Sequence, residues 1–187
     1  MITTSALTYH YPRQKPTLGG LDLHVPAGSI YGFLGANGAG KSTTIRNLLG
    51  LCRPQSGTIH LFNQALHQHR RSILARVGFL IEAPALYPHL NAIDNLKIIA
   101  KYRGVSSDRI GPVLDLVDLT SQARKLTRKY SMGMKQRLGL ALALLHDPEL
   151  LILDEPVNGL DPAGIADIRR LLQDLRAAGK TILLSSH

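Results

Sequence analysis

A nine-residue stretch, 35–43, constrains the fold of this chain more than any other feature of its sequence. It reads Gly-Ala-Asn-Gly-Ala-Gly-Lys-Ser-Thr and matches the phosphate-loop pattern G-x-x-x-x-G-K-[ST]. An apolar run at Ile30–Leu34 precedes it and predicts a buried strand, and apolar residues with helical spacing follow it as far as Gly50. A strand, a glycine-rich loop and a helix in this order are the context that the motif requires. The stretch therefore predicts an α/β fold that binds a phosphorylated ligand.

The residue types in this loop suit the binding of a triphosphate. Glycines let the backbone approach the ligand closely, so that successive N–H groups can face the phosphates. A helix that begins near Lys41 adds the positive end of its dipole. Lys41 can reach the outer phosphates, and the hydroxyl of Ser42 can ligate Mg²⁺. The alternative is a glycine turn that contains a lysine by chance. The predicted nucleotide-binding residues of the loop are Gly35, Asn37, Gly38, Ala39, Gly40, Lys41, Ser42 and Thr43.

Length and composition indicate one globular domain, residues 1–187. Hydrophobic residues make up 44% of the 187 residues and charged residues 19%, which suits a buried core rather than a disordered chain. The longest apolar run, 138–145, is shorter than the roughly 18 residues of a membrane span, and the N-terminus lacks the pattern of a signal peptide. A single cysteine, Cys52, suits a reducing compartment. We therefore expect a cytoplasmic protein.

The net charge of +9 allows nucleic acid, an anionic membrane surface or phosphate ligands as binding partners. The densest basic stretch, 124–137, contains one aromatic residue, Tyr130, and aromatic residues make up only 5% of the chain. Binding of single strands depends on aromatic stacking. We therefore expect no nucleic-acid partner and interpret the basic stretch as a solvated face.

Hydrophobic periodicity predicts two α/β parts, 1–82 and 138–187, with a helical insertion at 83–137 between them. Alternation of apolar and polar residues near the N-terminus indicates half-exposed antiparallel strands. A continuous apolar run at 150–153 instead indicates a parallel strand that is buried on both faces. Besides Ile30–Leu34, the predicted strands are residues 7–11, 21–25, 58–62, 76–81, 150–153 and 181–184.

Polar residues that can cap helices mark the expected helix starts. Asn91 and Ser107 can cap two helices of the insertion, and a third begins at about Gly133. Asp161 can cap the next helix, and Pro162 suits its first position.

Two acidic residues, Asp154 and Glu155, directly follow the apolar run at 150–153. Ligands of open parallel sheets bind at the carboxyl ends of the strands. Asp154 is therefore predicted to hold Mg²⁺ together with Ser42, and Glu155 to polarise the water that attacks the terminal phosphate. The alternative, an acidic turn that caps a helix, is less consistent with a chain that also contains a phosphate loop.

The order of motifs in this chain resembles that in the ATP-binding subunits of ABC transporters. Residues 130–137, Tyr-Ser-Met-Gly-Met-Lys-Gln-Arg, resemble the family signature, usually LSGGQ. Residues 150–156 resemble the Walker B strand, 158–161 the D-loop and 185–187 the H-loop. The resemblance covers essentially the whole chain. It implies a P-loop NTPase (RecA-like) core with an antiparallel β subdomain and a helical insertion.

The resemblance implies a head-to-tail dimer that binds ATP between its two chains. Ser131 and Gly133 of the signature would contact the terminal phosphate bound by the partner chain, and Asp161 belongs to the D-loop at the same site. Tyr11 resembles the aromatic residue that stacks on adenine, with Tyr9 as the alternative. His187 matches the histidine that contacts the γ-phosphate and completes the hydrolytic site. The alternative for Ser131 is an ordinary helix cap.

The chain departs from the family pattern at several positions. Glu82 stands where the family usually has the glutamine of the Q-loop; its carboxylate is expected to bind Mg²⁺ or the attacking water. Tyr130, Met132 and Met134 replace the usual signature residues, and these changes resemble the bacitracin and lantibiotic self-protection exporters. Family members continue past the H-loop, whereas this chain ends at His187. We therefore expect either a fragment of a longer subunit or an impaired protein.

The resemblance implies an ATPase that powers a separate transmembrane permease exporting peptide antibiotics or similar amphiphiles. It would lie at the inner face of the cell membrane, with residues about 83–103 against the permease. Whether its dimer is homo- or heteromeric stays open. Two alternatives remain: a soluble ABC-type ATPase that acts on nucleic acid or ribosomes, and a nucleotide-binding remnant without turnover.

Overall fold

Two β-sheets form the frame of the protein in a computed structural model that describes residues 1–12 and 17–186. Within these residues, one sheet has the strand order β2-β1-β4-β5 and is antiparallel, and the other has the order β3-β8-β7-β6 and is parallel. The strands are β1 (Ile2–Tyr9), β2 (Leu18–Val25), β3 (Ile30–Leu34), β4 (Ser56–Leu61), β5 (Gln64–Ala65), β6 (Val77–Leu80), β7 (Leu150–Leu153) and β8 (Thr181–Ser186).

The helices lie on both sides of the parallel sheet. They are α1 (Lys41–Leu48), α2 (Leu66–Ala75), α3 (Ala92–Arg103), α4 (Ile110–Leu116), α5 (Met132–Leu144) and α6 (Pro162–Ala177). Short 3₁₀ turns cover Ser107–Arg109, Thr120–Gln122 and Thr127–Lys129.

Two of the predicted helix caps are confirmed. The side chain of Asn91 accepts a hydrogen bond of 2.9 Å from the backbone N–H of Asp94, and that of Asp161 accepts one of 2.9 Å from Gly164. The prediction for Ser107 is wrong by one residue, because the hydroxyl of Ser106 accepts the bond from the N–H of Asp108 and begins a 3₁₀ turn that leads into α4. These local bonds satisfy backbone donors that a helix leaves without partners.

The predicted strand at 7–11 is also displaced. β1 begins at Ile2 and ends at Tyr9, because Ile2 pairs with Val25 on one side and with Leu61 on the other. Sequence periodicity likewise missed α2, which starts without a side-chain cap and bends at His69, where φ is −120°. The first error arises because pairing with distant strands fixes β1. The second arises because α2 lacks the side-chain cap that a local pattern could reveal.

β7 lies between two hydrophobic cores. Leu150 and Ile152 pack with the residues beneath the antiparallel sheet and α1, whereas Leu151 and Leu153 pack on the side of α3, α4, α5 and α6. All four side chains are fully buried. A strand that is covered on both faces needs apolar residues at every position, which explains the continuous run in the sequence.

The prediction that β3 is a buried strand is wrong. β3 is an edge strand that pairs only with β8 within the described residues. Tyr31 and Phe33 pack against the core beneath α1, but Ile30 is 37% exposed and Leu34 is 70% exposed. An apolar run therefore marked the strand correctly but not its position in the sheet.

Candidate functional site

The phosphate loop leads directly into α1 and encloses its own lysine. The ammonium group of Lys41 donates to the backbone oxygens of Gly35 and Ala36 at 2.5 Å and 3.1 Å, and the side chain is only 6% exposed. Gly40 precedes the helix with φ of 89°, and a Cβ there would lie 2.7 Å from a methyl carbon of Leu18. Only glycine fits this position, because both the conformation and the space exclude a side chain.

The start of α1 is suited to an anion. Its first turn contains no acidic residue, and Gly40 supplies no side-chain oxygen that could cap its N–H groups. The open N–H groups and the helix dipole together favour a negatively charged ligand at this end. The predicted loop residues therefore have a local structure that can bind phosphate.

The acidic end of β7 is held by a buried serine of β8. Asp154 is 3% exposed, and its carboxylate accepts a hydrogen bond of 2.5 Å from the hydroxyl of Ser185. The same hydroxyl accepts a bond of 2.9 Å from the backbone N–H of Glu155. Ser185 thus fixes both acidic residues, a role that sequence reasoning missed although the residue lies in the H-loop motif.

Glu155 has a left-handed backbone conformation, with φ of 49°. Its carboxylate accepts a hydrogen bond of 3.2 Å from the side-chain amide of Asn158. Non-glycine residues adopt this conformation at an energetic cost, and such residues are frequent at functional sites. Glu82 shares the feature with φ of 56°.

One cavity of about 290 Å³ brings these groups together. It is lined by Ser42 from α1, by both acidic residues from the end of β7 and by Glu82, all of which are candidate site residues. Sequence reasoning missed four further lining residues, of which the buried Gln136 donates a hydrogen bond of 2.9 Å to the backbone oxygen of Pro156. The lining residues are Ser42, Glu82, Ala83, Met132, Gln136, Asp154, Glu155 and Asn158. We call this space the acidic cavity.

The donor set of the acidic cavity suits Mg²⁺. Hydroxyl and carboxylate oxygens are the ligands that this ion prefers, and it usually keeps several waters and binds only one or two protein groups in nucleotide sites. Ser42 and Asp154 provide one hydroxyl and one buried carboxylate on facing elements. No cluster of three or more His, Cys, Asp or Glu side chains that could hold a metal occurs in the described part of the chain.

Glu82 is engaged by a cation. Its carboxylate forms an ion pair with the guanidinium of Arg46, which lies on α1 one turn after Ser42. Arg46 also donates a hydrogen bond of 3.2 Å to the hydroxyl of Tyr11, which lies 3.5 Å from the hydroxyl of Thr43. Glu82, Arg46 and Tyr11 therefore form a connected polar group beside the phosphate loop.

The two candidate adenine-stacking residues contact each other. The rings of Tyr9 and Tyr11 meet edge to face, with centroids 5.1 Å apart and planes at 87°. Tyr9 packs against the core beneath the antiparallel sheet, whereas Tyr11 reaches Thr43 at the start of α1. Tyr11 is therefore the one that lies beside the loop, although its stacking on adenine stays a prediction.

The signature segment occupies the start of α5. Ser131 caps this helix, since its hydroxyl accepts a hydrogen bond of 3.2 Å from the N–H of Met134, and it remains exposed. Gly133 lies near the D-loop, where a Cβ would be 3.6 Å from a methyl carbon of Leu160. Neither residue lines the acidic cavity, but Met132 between them does. The H-loop prediction for His187 lies outside the described residues.

Tyr130, which replaces the usual leucine of the signature, is a core residue. Its ring is 5% exposed and its hydroxyl donates a hydrogen bond of 2.7 Å to the backbone oxygen of Gln122. Burial raises the pKa of this hydroxyl, which stays neutral. The departure from the family pattern is therefore accommodated by packing and one additional hydrogen bond.

Comparison with known proteins identifies the family. Residues 18–158 match the model of the ABC transporter family, and the chain therefore belongs to it, as its motifs predicted. It is 50% identical to the bacitracin transport ATP-binding protein BcrA of Bacillus licheniformis, over 100% of this chain and 61% of that protein. It is 41% identical to the lantibiotic transport ATP-binding protein SrtF of Streptococcus pyogenes, over 93% of this chain and 75% of that protein.

Solved structures confirm the predicted fold class. The ATP-binding cassette MJ0796, in a dimeric post-hydrolysis state with ADP and Pi, matches with a TM-score of 0.87 at 25% identity. The match covers 100% of this chain and 88% of that one. The chain spans 61% of the length of BcrA. None of the helices in residues 1–12 and 17–186 has the length and apolar character of a membrane span.

Proposed function

We propose that this chain is the ATP-binding and ATP-hydrolysing part of a membrane exporter for peptide antibiotics or similar amphiphiles. The observation that carries the proposal is the acidic cavity, where Ser42, Asp154 and Glu155 meet beside the phosphate loop. The relatives named for bacitracin and lantibiotic transport support the class of substrate. The division into parts 1–82, 83–137 and 138–187 is retained in this proposal, with α5 running across the second boundary.

In this proposal the phosphate loop binds the triphosphate through its backbone N–H groups. Lys41 exchanges its bonds to the loop carbonyls for the outer phosphates, which are stronger partners because they are charged. Ser42 and Asp154 hold Mg²⁺, which neutralises charge on the phosphates when bound. Tyr11, on the far side of Thr43, packs against the base.

Glu155 acts as the general base and takes the proton of the attacking water. Its backbone is fixed by Ser185 and its carboxylate by Asn158, so the group is positioned before the ligand arrives. Glu82 binds Mg²⁺ or the attacking water once Arg46 releases its carboxylate. His187 contacts the γ-phosphate and completes the hydrolytic site. We assign Arg46 as a positioning residue, since it connects Glu82 to Tyr11.

The other partners follow from exposed surfaces. Ser131, Gly133 and Asp161 lie at or near exposed helix starts, where a second ATP-binding chain can present its bound phosphate. Residues 83–103 leave large apolar side chains in solvent, with Tyr87 47% exposed and Tyr102 86% exposed. Such a surface suits a transmembrane permease partner, which would place the protein at the membrane surface.

A matched pair of substitutions tests the assignment of Glu155. Glu155→Gln keeps the shape of the side chain but removes the base, so it should bind ATP and lower turnover by about 100-fold or more. Glu149→Gln is the control, because Glu149 lies at the other end of β7 and pairs with Arg76. Nucleotide binding is measured by fluorescence of a labelled ATP, and turnover by phosphate release.

Lys41→Ala tests the loop in the same assays. Loss of its charged contacts should weaken ATP binding by about tenfold or more. Both assays are run on the 187-residue chain and on a version extended to the length of the relatives. Turnover that is unchanged in Glu155→Gln, or full affinity in Lys41→Ala, contradicts the proposal, and absence of turnover in both lengths favours the remnant.

A further inference from the structure

A second and larger cavity, of about 630 Å³, lies at the other end of α1 from the phosphate loop. It is bounded by the end of α1, the segment that leads into β4 and the start of α2. None of the residues 35–43 lines it, and it shares no lining residue with the acidic cavity. We call it the basic cavity. A ligand bound there would therefore be separate from a nucleotide at the phosphate loop.

The lining of the basic cavity includes basic side chains but no acidic ones. Arg53, His67 and Arg70 line it, and no acidic residue does. Neither arginine forms an ion pair with a carboxylate within residues 1–12 and 17–186. Two guanidinium groups whose charge is not balanced by a neighbouring acid favour an anionic ligand.

The position of Arg70 depends on a glycine. Gly50 follows α1 with φ of 64°, and a Cβ at this position would lie 2.7 Å from Nε of Arg70. The guanidinium therefore lies directly over the backbone at the rim of the cavity. A residue with a side chain would displace it, so the sequence at Gly50 preserves this arrangement.

A buried acceptor without a partner provides the second, independent indication of a ligand. Asn47 lines the cavity and is 0% exposed. Its amide nitrogen donates a hydrogen bond of 2.9 Å to the backbone oxygen of Thr43, which fixes the orientation of the amide. Its Oδ1 has no hydrogen-bond partner among the described residues. Buried polar atoms are rarely left unpaired, so this oxygen needs a donor from outside the described residues, and a ligand in the cavity could supply it.

Together these groups define the chemistry of the ligand. A carboxylate could pair with the arginines but has no proton to offer Oδ1 of Asn47. A phosphate monoester carries a charge of about −1.5 to −2 at neutral pH and keeps a P–OH group part of the time, so it can pair with both arginines and donate to Asn47. Ile59 and Leu66 supply an apolar wall for the ester group. We propose that the basic cavity binds a phosphate monoester with an apolar group, as a soluble molecule or as a lipid head group.

Cys52 provides a local reporter for this proposal. It lines the basic cavity, is partly exposed, and is the single cysteine of the chain. A bound ligand should slow its reaction with a small neutral maleimide. Two probes separate the possible sources: phenyl phosphate, and phosphatidylcholine vesicles that contain phosphatidic acid. Inorganic phosphate is the control that lacks the apolar group, and phenol and pure phosphatidylcholine vesicles are the controls without net charge.

Saturable slowing of the reaction by phenyl phosphate indicates a soluble ligand, and slowing only by phosphatidic acid vesicles indicates a lipid head group; either supports the proposal. Arg53→Gln with Arg70→Gln should raise the half-saturating concentration by about tenfold or more, because two charged hydrogen-bonding groups are lost. Arg169→Gln with Arg170→Gln, two exposed arginines of α6, should leave it unchanged. Thermal unfolding of both double variants checks that each of them is folded.

Lys41→Ala separates this site from the phosphate loop. Protection of Cys52 that persists in Lys41→Ala belongs to the basic cavity, even if the proposed ATPase function fails. Protection that disappears in Lys41→Ala but persists in the Arg53 and Arg70 variant overturns the proposal, as does the absence of protection by phenyl phosphate and by phosphatidic acid vesicles alike.

Discussion

β3 and β7 are two parallel strands of one sheet, each of which leads into half of the candidate site, yet their surroundings differ. β3 precedes the phosphate loop, lies at the sheet edge and exposes Ile30 and Leu34. β7 precedes Asp154 and Glu155, pairs with β6 and β8, and is fully buried. In sequence the two runs look alike. The candidate site therefore combines a half that follows a fully buried strand with a half that follows a partly exposed one.

The two halves of the candidate site have different structural requirements. The acidic half keeps a carboxylate nearly out of solvent, and this position is held by Ser185 and by cores on both faces of β7. The loop half needs backbone N–H groups that reach a ligand, and the short loop and the start of α1 provide them locally. We therefore expect substitutions to affect β7 and its supports far more than β3.

The largest expected effect comes from a matched pair of isoleucines. Ile152→Ala in β7 should lower the free energy of unfolding by about 3 to 4 kcal/mol, because it leaves a cavity in a core that is fully packed. Ile30→Ala in β3 should cost less than about 1 kcal/mol, since this side chain is 37% exposed. Denaturant unfolding of both variants measures the difference. Equal losses would show that β3 is covered in solution and would remove the contrast.

A smaller effect is expected from Ser185→Ala. The substitution removes the donor to the carboxylate of Asp154 and the acceptor for the N–H of Glu155, and should destabilise the protein by about 2 kcal/mol. Under the proposed function it should also lower turnover more than it weakens ATP binding, because both acidic groups lose their support.

Ser29→Ala is the control for this prediction. Ser29 directly precedes β3, is partly exposed, and donates a hydrogen bond of 2.8 Å to the backbone oxygen of Pro26. It should change the unfolding free energy by less than about 0.5 kcal/mol. If Ser185→Ala has no more effect than Ser29→Ala, the serine does not position the acidic half of the site.

The smallest expected effect is a pH dependence of the unfolding free energy that comes from His146, shortly before β7. His146 donates from Nε2 to the backbone oxygen of Val77 at 3.1 Å, and its buried Nδ1 has no partner among the described residues. Burial, together with the nearby charge of Arg103, lowers the pKa of His146 below its ordinary value of 6.5. The unfolded chain therefore binds the proton more readily, and stability should fall as the pH drops through about 6.5 toward the folded pKa.

His146→Gln tests this dependence, because the glutamine amide can keep the bond to Val77 but cannot titrate. The variant should lose less stability than the parent between about pH 7.5 and 5.5. Asp147 and Glu149 also have lowered pKa values, through Lys180 and Arg76 respectively. These carboxylates change the stability only at a pH more acid than the range in which His146 acts. A pH profile that is unchanged in His146→Gln would assign the dependence to other groups.

Much of the architecture was predictable because it is locally encoded. The phosphate loop needs glycine at Gly40 and a lysine beside it, the caps at Asn91 and Asp161 form within four residues, and the fully apolar run of β7 indicates burial on both faces. The elements that were misplaced, β1 and α2, depend on distant pairing or lack a cap. The family followed from the order of the motifs, and the comparisons confirm it.

Residue types at fixed short spacings were enough to identify the phosphate loop, the acidic pair after β7 and the family of the protein. The three-dimensional structure was needed to show which apolar strand is buried, which serine holds Asp154, and that Arg46 pairs with Glu82. It also brought Asn47, Arg53 and Arg70 together at the basic cavity. Burial and charge pairing depend on neighbours from distant parts of the chain, and local spacing does not specify these neighbours.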